Sequence, residues 1–466
     1  VAKPQWWDFP EQQLATAGQL CFGSSSNQPA AQRQGCEFGE EKIQVKSRTS
    51  LCTVLLHCAF LIAAAWLLTG TAMAAGPKHT ILYSFTGLSD GGSPIAGLIL
   101  DSTGALYGTG ESGGNYNSCD EGGACGVVFK LAPPLQNGGA WTESVLYDFQ
   151  YQDPYPPNSN LGFDQAGNLY GATAGGSTAV YQLTELDGSW SLNPIYRAGD
   201  GTIATPILDQ KSNLYTTVEF DSTNPNGLVL ELSPQLNGSW AQTTLYAFAG
   251  GNDGSAPKGG VIANKAGNLY GTTVGGGGNS QCGTVFQLTQ VNSVWTETVL
   301  HSFTGSDGCY PYAGVIRDAK GNLYGTTSNG GTGVCNNKCG VVFELSPPEV
   351  KGGAWTESFL LLFNNTDGAN PLAALAIDST GALYGTTNLG GNGPCEPKGA
   401  GCGTVFRLTP PSKPGGAWSQ IFYSFQGPDG AKPYGNVLLD QSKGVLYGTT
   451  LEGGANGYGT VFQFTR

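Results

Sequence analysis

Gly267-Asn268-Leu269-Tyr270-Gly271-Thr272-Thr273 reads as a tight turn that runs directly into a short apolar strand. Its centre, Leu-Tyr-Gly-Thr or a close variant, returns with tyrosines at Tyr107, Tyr170, Tyr215, Tyr270, Tyr324, Tyr384 and Tyr447, in steps of 63, 45, 55, 54, 60 and 63 residues. Such steps are too long for a solenoid coil and fit one blade of a β-propeller. Around Tyr270 four strand-like runs follow in order: 260–263, 268–273, 284–288 and 295–303. Each is short, rich in β-branched and aromatic residues, and bounded by Gly, Asn, Asp or Pro, and no long stretch after residue 75 has helical periodicity. Between the first and second runs stands Asp-x-x-Gly (Asp101 to Gly104, Asp164 to Gly167, Asp318 to Gly321, Asp378 to Gly381), the chemistry of a tight hairpin.

The fourth run recurs as 145–149, 244–248, 299–303, 360–363 and 421–425, and one further copy, Ile81-Leu82-Tyr83-Ser84-Phe85, stands alone ahead of the first complete unit. The last unit stops at Arg466 after its third run. An orphan fourth strand at one end and a missing one at the other are what ring closure produces, and closure removes exposed sheet edges. The sequence therefore predicts an all-β fold, a seven-bladed β-propeller of four-stranded antiparallel blades, closed by the N-terminal strand completing the last blade.

The 466 residues include 73 Gly, yet 20 Tyr, 20 Phe and 9 Trp supply a core, so the chain reads as a turn-rich folded protein. Residues 51–68 are apolar, follow Lys42, Lys46 and Arg48, and precede Ala72-Met73-Ala74, the layout of a secretory signal. We expect 45–74 to be that signal, starting at Val45 because the only Met is Met73, with 1–44 upstream read-through or an extended, disordered n-region, and 75–466 as a single propeller. A retained membrane anchor is the alternative for the apolar run. Net charge is −13, and the segment 1–74 holds equal numbers of acids and bases, so the mature chain keeps all of it. That balance argues against nucleic acid and anionic membranes as partners.

Eight of the 12 Cys follow the signal, which in an exported chain points to disulfides. Cys119 with Cys125, Cys335 with Cys339, and Cys395 with Cys402 each fall inside one connection between second and third strands, whereas Cys282 with Cys309 would join two neighbouring connections. Strand alternation places those connections on the same rim as the links between blades. That rim carries Tyr116, Tyr151, Tyr155, Tyr310, Tyr312, Tyr434 and Tyr458, which either stack on a ligand or pack their loops. The inter-blade links repeat Asp-Gly-x-x-Pro at Asp90, Asp253, Asp307, Asp367 and Asp429. These aspartates are candidate Ca²⁺ ligands, with chain turning as the competing role; no other cofactor is indicated.

The first strands are aliphatic where a propeller enzyme would place acids and bases, with Arg317 the lone charge, and His79 and His301 lie on outer strands without a neighbouring nucleophile. The hairpin acids Asp101, Asp164, Asp209, Asp318, Asp378 and Asp440 suit their own turns. The phrases 267–273, 283–288 and 295–300 resemble the Gloeobacter/Verrucomicrobia-type tandem repeat. The resemblance covers about residues 80 to 466; blade two departs from it at Thr178-Ala179-Val180-Tyr181 and blade three at Tyr215-Thr216. It implies an exported bacterial repeat protein, often envelope-attached, with no catalytic residues to carry over. The leading expectation is a secreted or extracytoplasmic, non-enzymatic propeller that binds a glycan or a protein. A calcium-assisted extracellular hydrolase or lyase, and a self-assembling envelope protein, are the alternatives.

Overall fold

The computed structural model describes residues 78–465 apart from 116–124, 137, 175–177, 200, 332–334, 336–338, 351 and 414. The expected signal and the segment before it lie outside the described residues. Within them are seven four-stranded antiparallel sheets arranged as propeller blades, with two single-turn 3-10 segments, Gly251–Asp253 and Gly278–Ser280. In blade four the strands are Val261–Ala263, Leu269–Thr273, Thr284–Val291 and Val294–Ser302, within a few residues of their predicted limits. No helix among the described residues is long and apolar enough to cross a membrane.

Closure follows the predicted route. The strand Lys78–Ser84 pairs antiparallel with Thr460–Thr465 as the outer strand of blade seven, with Tyr83 opposite Val461, Ile81 opposite Phe462 and Lys78 opposite Thr465. Leu82 is a bulge residue, skipped by the register. The same bulge skips Leu146, Ile195, Leu245, Leu300 and Leu360, and only blade six, Ser419–Ser424, has a regular outer strand. A bulge bends its strand and increases local twist, which fits the outermost and most twisted position in a blade.

The repeated phrase is explained by contacts. Its glycine lies opposite the third-strand aromatic: Gly271 opposite Phe286, Gly325 opposite Phe343, Gly448 opposite Phe462. The buried ring lies so close across the second strand that a Cβ on Gly271 would sit 2.6 Å from Phe286 Cζ. Blade three breaks the motif at both partners, with Thr216 opposite Leu230, so that a smaller third-strand side chain leaves room for a larger second-strand one. The threonine of the phrase reaches the next blade. Thr272 Oγ1 donates to the carbonyl of Ala313 at 2.9 Å, and Thr449 Oγ1 to that of Ala96 at 2.8 Å; Thr109, Thr326 and Thr386 do the same at 3.3 to 3.4 Å.

The core lies in the seams between blades. Each of seven buried clusters draws on two neighbouring blades, as where Leu98 and Phe129 of blade one meet Tyr447 and Val461 of blade seven. Toward the periphery each seam becomes polar. The aspartate of an inter-blade link accepts from the tyrosine of the preceding outer strand, Tyr83 to Asp90 at 2.9 Å and Tyr246 to Asp253 at 2.6 Å. A glutamate of the next outer strand, Glu143 or Glu297, faces that aspartate. Burial first, and the aspartate second, push both glutamates up to about 7.

Two outcomes follow. Gly271→Ala should cost about 1–3 kcal/mol in denaturant unfolding through overpacking, and adding Phe286→Leu, the arrangement of blade three, should recover a large part of that loss; equal stability of the single variant and wild type would contradict the contact. For pH, the unfolded chain releases the Glu143 and Glu297 protons near 4.5 whereas the folded chain holds them to about 7. The folded state thus binds more protons across that interval, and stability falls as pH rises through it. His79, lowered by burial against an opposing pull from Asp429, acts in the opposite sense below 6.5. The melting temperature should therefore be higher at pH 6.5 than at pH 8, and the difference should shrink in Glu143→Gln/Glu297→Gln.

Candidate functional site

The residues one or two positions ahead of the inner strands form the mouth of the central channel on the rim that bears the inter-blade links. They are small or amide-bearing: Gly97, Asn160, Thr205, Gly260, Gly314, Ala374 and Asn436. Neighbouring blades touch here through their backbones. A Cβ on Gly314 would meet the Gly259 carbonyl at 2.4 Å, and one on Gly435 would meet the Ala96 carbonyl carbon at 2.4 Å. The amides also stitch the ring, since Asn160 Oδ1 accepts the Gly97 N–H at 2.6 Å, Asn436 Oδ1 accepts the Ala374 N–H at 2.8 Å, and the Asn160 N–H donates to Thr205 Oγ1 at 3.1 Å.

Within this ring lies a cavity of about 420 Å³, bordered by Tyr312, Tyr434, Lys258, Asn158, Asn160 and Asn436 among others. Lys258 is held in place twice. Its Nζ pairs with Glu219 Oε1 at 3.0 Å and lies 5.3 Å from the centre of the Tyr312 ring, while Glu219 Oε2 accepts from Thr202 Oγ1 at 2.8 Å. Burial, then the neighbouring Tyr312 and Glu111, push the Tyr434 phenol up, so it remains a neutral hydrogen-bonding group. Asn158 Oδ1 is buried with no protein hydrogen-bond partner. The cavity thus offers two aromatic faces, amide and hydroxyl groups and one ion-paired lysine, a set suited to orienting a polar uncharged ligand.

The sequence-nominated residues separate into groups. Tyr312 and Tyr434 border the cavity. Tyr155 packs on the core shared by blades one and two. Tyr151, Tyr310 and Tyr458 are exposed, and the Tyr458 ring covers Gly87. Tyr116 and Cys119 lie outside the described residues. Cys282–Cys309, Cys335–Cys339 and Cys395–Cys402 are disulfides, and Cys125 is also disulfide-bonded. The three described bridges point to an oxidising, extracytoplasmic environment.

The five link aspartates are placed one per link, each bonded to its own loop: Asp90 accepts the Thr86 N–H at 2.9 Å, Asp307 that of Thr304 at 2.7 Å, Asp367 that of Asn364 at 2.9 Å and Asp429 that of Gln426 at 2.7 Å. Asp253 accepts the Ala249 N–H at 2.5 Å in the same way. The hairpin acids cap their turns, as where Asp101 Oδ1 accepts the Thr103 and Ala105 N–H groups and Oδ2 accepts from Tyr107. Arg317 is turned outward against the Tyr270 ring.

The aliphatic inner strands do contribute to the cavity, with Ile207, Val261, Ile262, Val315, Ile316 and Leu375 on its border. Leu98, Leu161 and Val437 are instead buried in the seams between blades. The polar part of the lining comes from the few residues ahead of each strand. Asn160 and Asn436, at the position other blades fill with Gly, Ala or Thr, were the available signal.

No curated protein matches this chain. Among solved structures, a protein from Lactobacillus plantarum is similar at 14% identity, covering 69% of this chain and 88% of its own, with a TM-score of 0.46. A putative 6-phosphogluconolactonase from Bacteroides uniformis matches at 13% identity, over 76% of this chain and 88% of its own, with a TM-score of 0.45. Sqt1 from Chaetomium thermophilum matches at 11% identity, over 81% and 89%, with a TM-score of 0.43. Likenesses this remote carry no argument about activity. Residues 201–462, more than half of the chain and spanning the repeats built on Tyr215 to Tyr447, match the family described as the Gloeobacter/Verrucomicrobia repeat, and the chain belongs to that family.

Proposed function

We propose that this is an exported, non-enzymatic propeller that binds a neutral carbohydrate at the channel mouth, outside the cell or at its envelope. The observation that carries the reading is the cavity itself: Tyr312 and Tyr434 flank about 420 Å³ whose polar border is made of amides, hydroxyls and the paired Lys258. Aromatic faces stack on the apolar faces of sugar rings, while amides and hydroxyls pair with sugar hydroxyls. A volume of this size lies within the range of ordinary small-ligand sites and would admit one or two sugar units. The disulfides and the acidic balance fit an extracellular setting for such a partner.

A glycan array followed by calorimetry on the best binder tests the proposal. Wild type should bind one class of neutral glycan. Tyr312→Ala/Tyr434→Ala should weaken binding at least tenfold without a large change in melting temperature, whereas Tyr458→Ala on the outer loop should leave it intact. Undiminished binding by the double variant, or selective capture of a protein ligand with no glycan bound, would overturn it.

A further inference from the structure

The seam between blades four and five repeats the peripheral arrangement of its siblings with one substitution. Between blades seven and one, and between blades three and four, the residues are Tyr83, Asp90 and Glu143, and Tyr246, Asp253 and Glu297. Between blades four and five they are His301, Asp307 and Glu357: histidine stands where the siblings have tyrosine. In all three seams the glutamate Oε1 is buried with no hydrogen-bond partner, and in the two tyrosine seams the facing carboxyl groups have no basic side chain between them. A proton is the cation available in the tyrosine seams, because a phenol keeps its own proton and is a poor ligand at neutral pH. An imidazole changes the chemistry, since its unprotonated nitrogen is a ligand for first-row transition metals.

The geometry is close to what such an ion requires. His301 Nε2 and Asp307 Oδ2 are 3.2 Å apart, near the separation of about 3.3 Å expected between two ligands of one tetrahedral zinc ion with bonds of about 2.0–2.1 Å. Ligand atoms of His301, Asp307 and Glu357 all lie within 4.8 Å of one another. A modest side-chain movement of Glu357 brings its free oxygen to the same centre. The Asp307 carboxylate is already oriented by its own loop, since Oδ1 accepts from the Thr304 N–H at 2.7 Å and Oγ1 at 2.9 Å, which leaves Oδ2 turned toward His301. Such outer contacts fix ligands in productive orientations. Two residues on, Cys309 is bonded to Cys282, which fixes the link that carries Asp307.

We propose that His301, Asp307 and Glu357 form a binding site for a divalent transition ion of the zinc class, with water completing the coordination, that clamps blade four to blade five. One nitrogen and two carboxylates suit such an ion better than calcium, which takes six to eight oxygen ligands. The site is separate from the channel-mouth cavity, so its test is independent of the carbohydrate reading.

The experiment uses the purified, disulfide-bonded protein, stripped with chelator and then titrated with zinc chloride, with bound metal measured by mass spectrometry and melting temperature followed in parallel. Wild type should retain about one zinc per chain after desalting and melt several degrees higher with zinc than without. His301→Tyr restores the tyrosine arrangement that folds in two sibling seams, and should lose zinc retention and the zinc-dependent shift while melting near the zinc-free wild type. Glu357→Gln should weaken zinc binding at least tenfold, and calcium should produce no shift in any variant. No retained zinc in wild type, or equal zinc in His301→Tyr, would overturn the proposal.

Discussion

A phenylalanine ring lying across a backbone that carries no side chain is the contact on which this propeller depends. Where the second strand presents Gly and the third presents Phe, the ring reaches over its own sheet and joins the core shared with a neighbouring blade. The tyrosine, one residue earlier, points to the other face and joins the opposite seam, where Tyr270 meets Val315 and Phe343. The threonine, one residue later, bonds to the backbone of the following blade. Three consecutive residues therefore address both neighbours, which is why the phrase is repeated around the ring. Interiors packed at crystal-like density do not accept an extra methyl at such a point without displacement.

The periphery of the seams obeys a different constraint. Tyrosine, aspartate and glutamate side chains are drawn partly out of water there, and each link aspartate is satisfied by its loop and, in most blades, by the preceding outer strand. Blade five shows the consequence of losing the aromatic donor: Leu361 occupies the tyrosine position, and Asn364 Nδ2 supplies the missing bond to Asp367 beside the loop N–H that the other links share. The same position filled by histidine gives the one peripheral cluster among the described residues with the ligand set of a metal centre.

Much of the architecture was legible because it is written in spacing. The seven tyrosines, the Asp-x-x-Gly turns and the unpaired 81–85 run fixed blade count, strand order and closure, since each reflects a local backbone requirement that the residue type reveals. Three disulfide pairings were legible for the same reason, as their loops are short or adjacent. The channel mouth was less so. Its polar lining comes from residues before the strands, where no periodicity operates, and the convergence of Lys258, Tyr312 and Tyr434 from three links depends on how the ring closes. The peripheral clusters were invisible in sequence because each joins residues of two blades, about 53 positions apart for Asp90 and Glu143, and nothing in either segment alone announces the other.

The closing strand also sets how the ring responds to tension. Lys78 lies opposite Thr465, so the start of one strand and the end of its partner emerge side by side. A pull that separates these two ends loads the pairs one after another, as in opening a zipper, whereas a pull applied through the rim loops meets many seams at once. The molecule is thus mechanically soft along one direction and stiff along others, and the soft direction is the one that its own backbone would transmit.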